Sequence, residues 1–148
     1  TVLAKLIQAA GRRKTDRVLD IAGGSGYSAA LWSRLAGEVV ALEDDAALAR
    51  EAQKNLGSAV TVATGALTAG WEASAPYDII LVNGACEVLP AALFAQLKND
   101  GRLLCIMGSA PGKARLYLRG GRDSDGRPLF DASAPMLPGF ARTPAFVF

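Results

Sequence analysis

Residues 17–30 constrain the fold of this chain more than any other stretch. They read RVLDIAGGSGYSAA, which is typical of a short apolar strand that ends on a carboxylate, followed by a glycine turn and the start of a helix. Glycines let the backbone turn sharply and approach a ligand closely, and the first N–H groups of the helix point into the same space. The stretch therefore predicts a pocket for a nucleotide cofactor.

Two carboxylates discriminate between the cofactors that such a turn can hold. Asp20 ends the first strand, and Glu43 closes the next apolar run, 39–42, where it can accept both hydroxyls of a ribose. The G-x-G-x-x-A spacing that starts at Gly24 also fits the dinucleotide fingerprint and is weak alone. Asp20 would repel a pyrophosphate beside the turn, whereas it would attract a sulfonium and an ammonium. The residues therefore favour S-adenosyl-L-methionine over a dinucleotide.

The periodicity of the chain up to Met107 predicts a doubly wound α/β fold. Helix and strand patterns alternate, and the later strands are continuously apolar, as in parallel sheets that are covered on both faces. Gly11 and Gly57 are expected to end two of the helices. The predicted helices are 2–10, one that starts near 27, 46–56 and 90–97, and the predicted strands are 17–20, 39–42, 59–64, 78–82 and 102–107.

After Gly108 the helical periodicity ends. Residues 114–119 and 143–148 alternate or run apolar on either side of a connection rich in Gly, Asp and Pro, and this favours two antiparallel edge strands. The expected fold class is α/β, with a doubly wound, Rossmann-like, mostly parallel seven-stranded sheet that ends in an antiparallel C-terminal strand pair. We expect residues 1–148 to form a single domain.

Composition and charge argue against several classes of partner. The net charge is only +2, and its visible concentration at 12–14 is interpreted as a solvated helix end, so no nucleic-acid partner is expected. Cys86 and Cys105 lie in separate apolar runs and the chain has no histidine, which argues against a metal site or a disulfide framework. We interpret them as buried thiols of a cytoplasmic protein. No apolar run reaches the length of a membrane span, so no membrane partner is expected.

Later segments of the chain extend the pattern to that of a known family. These segments are GW at 70–71, PYDIILV at 76–82, LPAALFAQL at 89–97 and DGRL at 100–103. Together with the 20–27 loop and Glu43, they make the chain resemble the protein-L-isoaspartate O-methyltransferases, which are class I S-adenosylmethionine-dependent methyltransferases. The resemblance implies methyl transfer from S-adenosyl-L-methionine to a carboxylate of an isoaspartyl residue in a protein or peptide, a repair reaction. It also implies the antiparallel end of the sheet.

The resemblance assigns a cofactor site. Asp20 is expected to compensate the methionine ammonium, the loop glycines to line the methionine moiety, and Glu43 to hold the ribose. Asn83 and Gly84, beyond the fourth predicted strand, are expected to flank the face of methyl transfer. The predicted cofactor-binding residues are Asp20, Ala22, Gly23, Gly24, Gly26, Ser28, Glu43, Asp44, Ala66, Leu67, Asn83 and Gly84. No catalytic residue is predicted, because an isoaspartyl carboxylate is already ionised at neutral pH and can attack the methyl group directly.

Each of these roles has a purely structural alternative. Asp20 can cap the N–H groups of the loop, and the loop glycines can form an ordinary strand-to-helix turn. Glu43 and Asp44 can be exposed partners of the dipole of the following helix. The 83–84 pair can form a simple turn.

The chain departs from the family pattern in ways that affect these expectations. Ala22 stands where the family usually has glycine, so its methyl group is expected to crowd the cofactor or to force the turn out of a positive φ. Residues 64–67 offer no acid to the adenine amino group, and a hydrogen bond lost there should cost about 1 kcal/mol unless backbone groups or water replace it. In the family, a segment upstream of the position of Thr1 recognises the isoaspartyl peptide. We therefore expect this chain to carry the cofactor half of the site and to methylate isoaspartyl peptides poorly by itself.

Other functions stay open on the sequence. The same fold serves small-molecule methyltransferases, for instance on a corrin precursor, and a degenerate, non-catalytic nucleotide-binding module would account for Ala22 and Ala66. A DNA or RNA base methyltransferase is disfavoured, because 81–85 lacks the Asn/Asp-Pro-Pro-aromatic motif of those enzymes. A dehydrogenase is the weakest alternative, because of the charge of Asp20.

Overall fold

A seven-stranded sheet with the strand order β3-β2-β1-β4-β5-β6-β7 forms the centre of the structure. The computed structural model describes residues 2–24, 26–108, 112–119 and 126–142. The strands are β1 (Arg17–Ile21), β2 (Glu38–Glu43), β3 (Thr61–Thr64), β4 (Tyr77–Cys86), β5 (Leu97–Met107), β6 (Lys113–Leu118) and β7 (Arg127–Asp131). The helices are α1 (Val2–Ala9), α2 (Tyr27–Leu35), α3 (Ala46–Leu56) and α4 (Ala91–Ala95), with 3-10 turns at Leu67–Ala69 and Glu72–Ser74. Strands β1 to β5 run parallel and β6 and β7 antiparallel, which confirms the predicted fold class.

Two hydrophobic layers cover the two faces of the sheet. Alternate residues of β1 belong to opposite layers, with Leu19 and Ile21 in one and Val18 in the other. The layer that contains Val18 also holds the buried face of α1 and the fully buried Trp32 of α2. The opposite layer holds Leu93 of α4. Strands buried on both faces have to be apolar at successive positions, which explains the continuous apolar runs in the sequence.

Helix α3, which follows the second strand, forms where its sequence signals predict it. Asp45 is the N-cap of α3, and its carboxylate accepts hydrogen bonds from the N–H groups of Ala47 at 2.8 Å and Leu48 at 3.2 Å. Gly57 follows the last residue of α3 with a φ of +59°. Helix α3 therefore begins and ends where the sequence predicts, because both of its termini are stabilised by local residues.

Strand β4 is longer than predicted, so two predicted site residues lie within it and not after it. The apolar run predicts an end at Val82, but the strand continues to Cys86 across a register shift between Leu81 and Ala85. Residues 83–84 therefore lie within the strand, and the alternative of a simple turn there is wrong. An irregular strand of this kind can change the direction of a side chain without ending the pairing.

Several other boundaries differ by one to five residues from the predicted ones, and those of α4 and β3 have a clear cause in the strand pairing. Helix α4 covers only part of the predicted helix 90–97, because Leu97 already pairs with Tyr77 as the first residue of β5. Strand β3 begins at Thr61 rather than at residue 59, since its pairing with β2 begins there. Neither difference displaces a predicted site residue.

The antiparallel end of the sheet is only partly as predicted. Strand β6 covers most of the predicted strand 114–119, but β7 lies within the stretch that was interpreted as a connection. That interpretation is wrong, because β7 is the edge strand of the described sheet and is mostly exposed, so its residues show no clear apolar pattern. The strand predicted at 143–148 lies outside the described residues.

The residues after β7 return to the carboxyl end of β4. The N–H group of Ala85 donates to the carbonyl of Pro135 at 2.9 Å, and the N–H group of Leu137 donates to the carbonyl of Ala85 at 3.0 Å. Further along, the N–H group of Glu87 donates to the carbonyl of Phe140 at 2.8 Å. The Phe140 side chain is fully buried. The segment 132–142 therefore covers the end of β4, although no sequence pattern indicated this.

The remaining predictions concern burial and the surface. Both Cys86 and Cys105 are buried, as predicted. The basic run 12–14 is exposed, as expected for a solvated helix end. In the part of the chain that the structure describes, no helix combines the length and the apolar character needed to cross a membrane.

Candidate functional site

Two buried acids lie at the carboxyl ends of the neighbouring strands β1 and β2. Asp20 is fully buried and Glu43 is only 6% exposed. The register pairs Ile21 with Leu42, so the two acids lie on adjacent strands at the same edge of the sheet. The glycine turn between β1 and α2 lies against both acids, because the N–H group of Gly24 donates to Glu43 Oε2 at 3.0 Å and Gly23 closely approaches Asp20 Oδ2. The strand-turn-helix unit predicted from the sequence thus brings both carboxylates to one turn.

Side chains from two further elements hold the Asp20 carboxylate. Ser28 of α2 donates from Oγ to Asp20 Oδ2 at 2.5 Å, and Asn83 of β4 donates from Nδ2 to Asp20 Oδ1, also at 2.5 Å. The N–H groups of Ala22 and Gly24 donate elsewhere, to Leu42 and to Glu43. In the described part of the turn no N–H group donates to Asp20, so the alternative in which Asp20 caps the loop is not supported there.

Burial dominates the electrostatics of the two acids. Desolvation raises the pKa of Asp20 from 3.8 to about 6, against the hydrogen bonds from Ser28 and Asn83, which lower it, while the charge of Glu43 raises it further. Desolvation also raises the pKa of Glu43, against the hydrogen bond from Gly24. Among the described residues, the carboxylates in ion pairs with Lys or Arg are those of Asp16, Glu38, Asp78 and Asp131. Neither site acid is therefore neutralised by a cation from the described chain.

The three loop glycines serve different purposes. A Cβ atom at Gly23 would lie 2.5 Å from Ser28 Oγ and 2.7 Å from Asp20 Oδ2, so only glycine allows this close approach to the carboxylate. A Cβ atom at Gly24, which has a φ of +67°, would meet nothing within 4 Å. Gly26, with a φ of +109°, instead packs against Leu56. Gly24 thus faces open space where a ligand can approach the backbone.

Ala22 keeps the left-handed conformation of the glycine that the family pattern has at this position. Its φ is +63°, so the expectation that the methyl group forces the turn out of a positive φ is wrong. The Ala22 N–H group donates to the carbonyl of Leu42 at 2.9 Å, and its methyl group packs against the core layer of Leu19. An L-residue in this conformation costs about 1–2 kcal/mol, and these contacts hold it there.

Replacing Ala22 by glycine is expected to raise the free energy of unfolding by about 0.5–1 kcal/mol. The change removes the left-handed strain, and the greater entropy of glycine in the unfolded chain offsets part of the gain. Urea unfolding of the parent and of Ala22→Gly measures the difference. Ala66→Gly is the matched control, because Ala66 has a φ of −65° and should only lose stability. A less stable Ala22→Gly would show that methyl packing outweighs the strain.

The acids at and after the tip of β2 have separate roles. Glu43 is buried and accepts from the loop, whereas Asp44 is exposed. The N-cap of α3 is Asp45. The alternative that Glu43 is an exposed partner of the helix dipole is therefore wrong. Asp45, two residues later, stabilises the start of α3.

The remaining predicted site residues differ in their accessibility. Ala66 is exposed. It lies beside the tip of β2, because the preceding Gly65 donates its N–H group to the Glu43 carbonyl at 3.0 Å. Leu67 is buried in the core, so its side chain is not available to a ligand. Gly84 is also buried, and a Cβ atom there would clash with the side chain of Leu137.

Asn83 also lines a cavity of about 240 Å³. Its walls include apolar residues of α1, among them Leu3 and Leu6, and residues of the returning segment 132–142, among them Ser133. No pattern in the sequence predicts this cavity, because it forms between elements that are remote along the chain. Asn83 thus borders both the acid pair and a separate, mostly apolar space.

Known proteins share both the sequence and the fold of this chain. A family model described as protein-L-isoaspartate(D-aspartate) O-methyltransferase matches residues 1–127. A protein-L-isoaspartate O-methyltransferase from Methylorubrum extorquens (strain PA1) is 42% identical over 126 residues, which cover 82% of this chain and 55% of the relative. A solved protein-L-isoaspartate O-methyltransferase has a TM-score of 0.83 at 28% identity, over 93% of this chain and 47% of the other.

A more distant structure shares the fold alone. This protein from Plasmodium falciparum was crystallised with S-adenosyl-L-homocysteine and has a TM-score of 0.68 at 18% identity, over 91% of this chain and 70% of its own. The chain spans about half the length of the Methylorubrum relative and of the solved enzyme that is 28% identical.

Proposed function

Because the chain belongs to the protein-L-isoaspartate(D-aspartate) O-methyltransferase family, we propose that it binds S-adenosyl-L-methionine. We also propose that it takes part in the transfer of the methyl group to an isoaspartyl carboxylate in a protein or peptide. The observation that carries this proposal is the pair of buried acids, Asp20 and Glu43, with no Lys or Arg of the described residues bound to them. Buried carboxylates without a cation favour a positively charged ligand. A dinucleotide would place its pyrophosphate beside Asp20, and like charges disfavour that arrangement.

The residues at the turn fit such a cofactor. Asp20 would face its ammonium group, and Glu43 would accept the hydroxyls of its ribose. The open side of Gly24 leaves room for the ligand to approach the backbone. Ala66 is an exposed residue, and its backbone would meet the adenine amino group in place of an acidic side chain. When bound, S-adenosyl-L-methionine supplies a methyl group activated by a sulfonium.

The cavity beside Asn83 is our candidate for the acceptor side of the site. Its apolar walls from α1 would remove water from an entering carboxylate, and a carboxylate that is already ionised needs no general base. The contribution of the chain is then to align the acceptor with the methyl group, and alignment of this kind accounts for about 7–11 kcal/mol in favourable cases. The two buried thiols, Cys86 and Cys105, support the cytoplasm as the compartment.

Calorimetric titration with S-adenosyl-L-homocysteine and with NAD, at one ionic strength, tests the cofactor. We expect S-adenosyl-L-homocysteine to bind and NAD to bind at least tenfold more weakly, because of the Asp20 charge. Tighter binding of NAD would favour a dehydrogenase and overturn the proposal. Absence of binding by both ligands, in a folded chain, would favour a degenerate module.

Transfer of a labelled methyl group to peptides tests the acceptor. The pair to compare is an isoaspartyl peptide and the same peptide with a normal aspartyl linkage, each offered with methyl-labelled S-adenosyl-L-methionine. Label in the isoaspartyl peptide alone supports the proposal and would show that the acceptor site lies within this chain, whereas the sequence predicts that the chain by itself transfers little. Tight cofactor binding together with label transferred only to a small molecule would assign a different methyltransferase activity to the fold.

A further inference from the structure

We infer that Asn83 is a positioning residue that holds the Asp20 carboxylate ionised and correctly oriented for the cofactor, so that cofactor binding depends on pH through this pair. The inference rests on the proposed function for the role of the cofactor. Its structural part, the action of Asn83 on Asp20, concerns the protein alone and can be measured without any ligand.

The geometry at Asn83 fixes its amide group. The Nδ2 atom carries two hydrogens and has two acceptors, Asp20 Oδ1 at 2.5 Å and the carbonyl of Ile21 at 3.2 Å. Both acceptors belong to β1, whereas Asn83 belongs to β4, where the register shift between Leu81 and Ala85 interrupts the regular pairing. The Asn83 side chain thus links β4 to β1, and its Nδ2 atom donates a hydrogen bond to the Asp20 carboxylate.

The charges around Asp20 give this donor its importance. Ser28 approaches from α2 and Asn83 from β4, and both bonds favour the ionised carboxylate. Glu43, at the tip of β2, is the charged group that acts on Asp20, and it disfavours ionisation. Ser28 carries a hydroxyl that can turn to accept a proton from a neutral Asp20, whereas Asn83 Nδ2 can only donate. Asn83 is therefore the partner that specifically favours the charged form.

The direction of the pH dependence follows from these contacts. A cofactor ammonium binds the ionised carboxylate, so affinity should be lost as the pH falls through the pKa of Asp20, which is about 6 in the folded protein. Without the Asn83 donor the protonated form is favoured, and the loss should occur at a higher pH. A hydrogen bond to a charged group corresponds to a shift of about one pH unit or more.

The test replaces Asn83 by leucine, which has a similar size, excludes water and donates no hydrogen bond. Carboxyl carbon NMR of the free protein, labelled at aspartate, gives the pKa of Asp20 in the parent and in Asn83→Leu. Calorimetry with S-adenosyl-L-homocysteine between about pH 5 and 8 gives the midpoint of the affinity profile. Asn99→Leu is the matched control, because Asn99 is exposed near the start of β5 and the same change there should move neither value. If Asn83→Leu does not fold, Asn83→Ala takes its place.

The two readouts separate the inference from the proposed function. An upward shift of about one unit in both the Asp20 pKa and the affinity midpoint supports both. If the parent binds the ligand and Asn83→Leu changes neither the Asp20 pKa nor the affinity midpoint, the inference is overturned and the proposed function is left intact. A shifted pKa in a chain that binds no S-adenosyl-L-homocysteine at any pH supports the action of Asn83 on Asp20 and overturns its role in cofactor binding.

Discussion

Replacement of Asp20 by asparagine is expected to weaken binding of S-adenosyl-L-homocysteine by about 2–5 kcal/mol at pH 7.5, which corresponds to a loss of roughly thirtyfold to several thousandfold. Asp20 is fully buried, so the charge that it offers to a ligand ammonium is not screened by water. Asparagine keeps the shape and one acceptor oxygen, and thus removes mainly the charge. Calorimetry on both proteins measures the loss. Equal affinities would show that Asp20 does not face the ammonium.

The same variant is expected to be more stable than the parent in the absence of ligand. The folded-state pKa of Asp20, about 6, lies above the reference value of 3.8, so the folded protein binds a proton more tightly than the unfolded chain. Stability linked to this proton is fully present below the unfolded pKa and is lost as the pH rises through the folded pKa. At pH 7.5 the ionised, buried carboxylate therefore destabilises the fold, and Asp20→Asn should gain about 1–3 kcal/mol.

Urea unfolding at several pH values tests this gain. The difference between Asp20→Asn and the parent should shrink steadily as the pH falls from about 7.5 to about 4, because Asp20 in the parent then becomes neutral too. A gain that is independent of pH would show that it comes from packing and not from charge. A stabilised variant that has lost its ligand would identify Asp20 as a residue kept for function at a cost in stability.

Replacement of Glu43 by alanine is expected to weaken cofactor binding by about 1.5–3 kcal/mol, or roughly tenfold to a hundredfold. The change removes the acceptor of the ribose hydroxyls and also the partner of the Gly24 N–H group, so the loop loses its anchor to β2. Glu43→Gln keeps one acceptor oxygen for Gly24 and should lose less affinity than Glu43→Ala. Calorimetry with S-adenosyl-L-homocysteine ranks the two variants.

Asp45→Ala is the control for Glu43. Asp45 caps α3 through the N–H groups of Ala47 and Leu48, so its loss should lower the free energy of unfolding by about 0.5–2 kcal/mol and leave cofactor affinity nearly unchanged. A loss of affinity in Asp45→Ala as large as in Glu43→Ala would mean that the position of α3, and not a direct contact from Glu43, determines binding.

Local signals in the sequence were sufficient for the parts of the structure that local interactions stabilise. Strand β1 and helix α2 form where residues 17–30 predict a strand and the start of a helix, and α3 begins and ends beside its capping residues. Parallel strands that are buried on both faces are continuously apolar, so their order along the chain was also visible. Edge strand β7 was not, because an exposed edge imposes no apolar pattern on its residues.

The sequence by itself determined that one acid lies near the end of β1, that a second acid ends β2 and that a glycine-rich turn follows the first acid. Only the tertiary structure decided that Asn83, 63 residues after Asp20, donates to that acid, that Glu43 is buried, and that segment 132–142 contributes to the wall of a cavity beside Asn83. Periodicity indicates which apolar residues are buried, but it does not show which remote residue each of them meets, nor that a polar residue such as Glu43 is buried. The pairing of β1 with β4 and an irregularity within β4 created that contact.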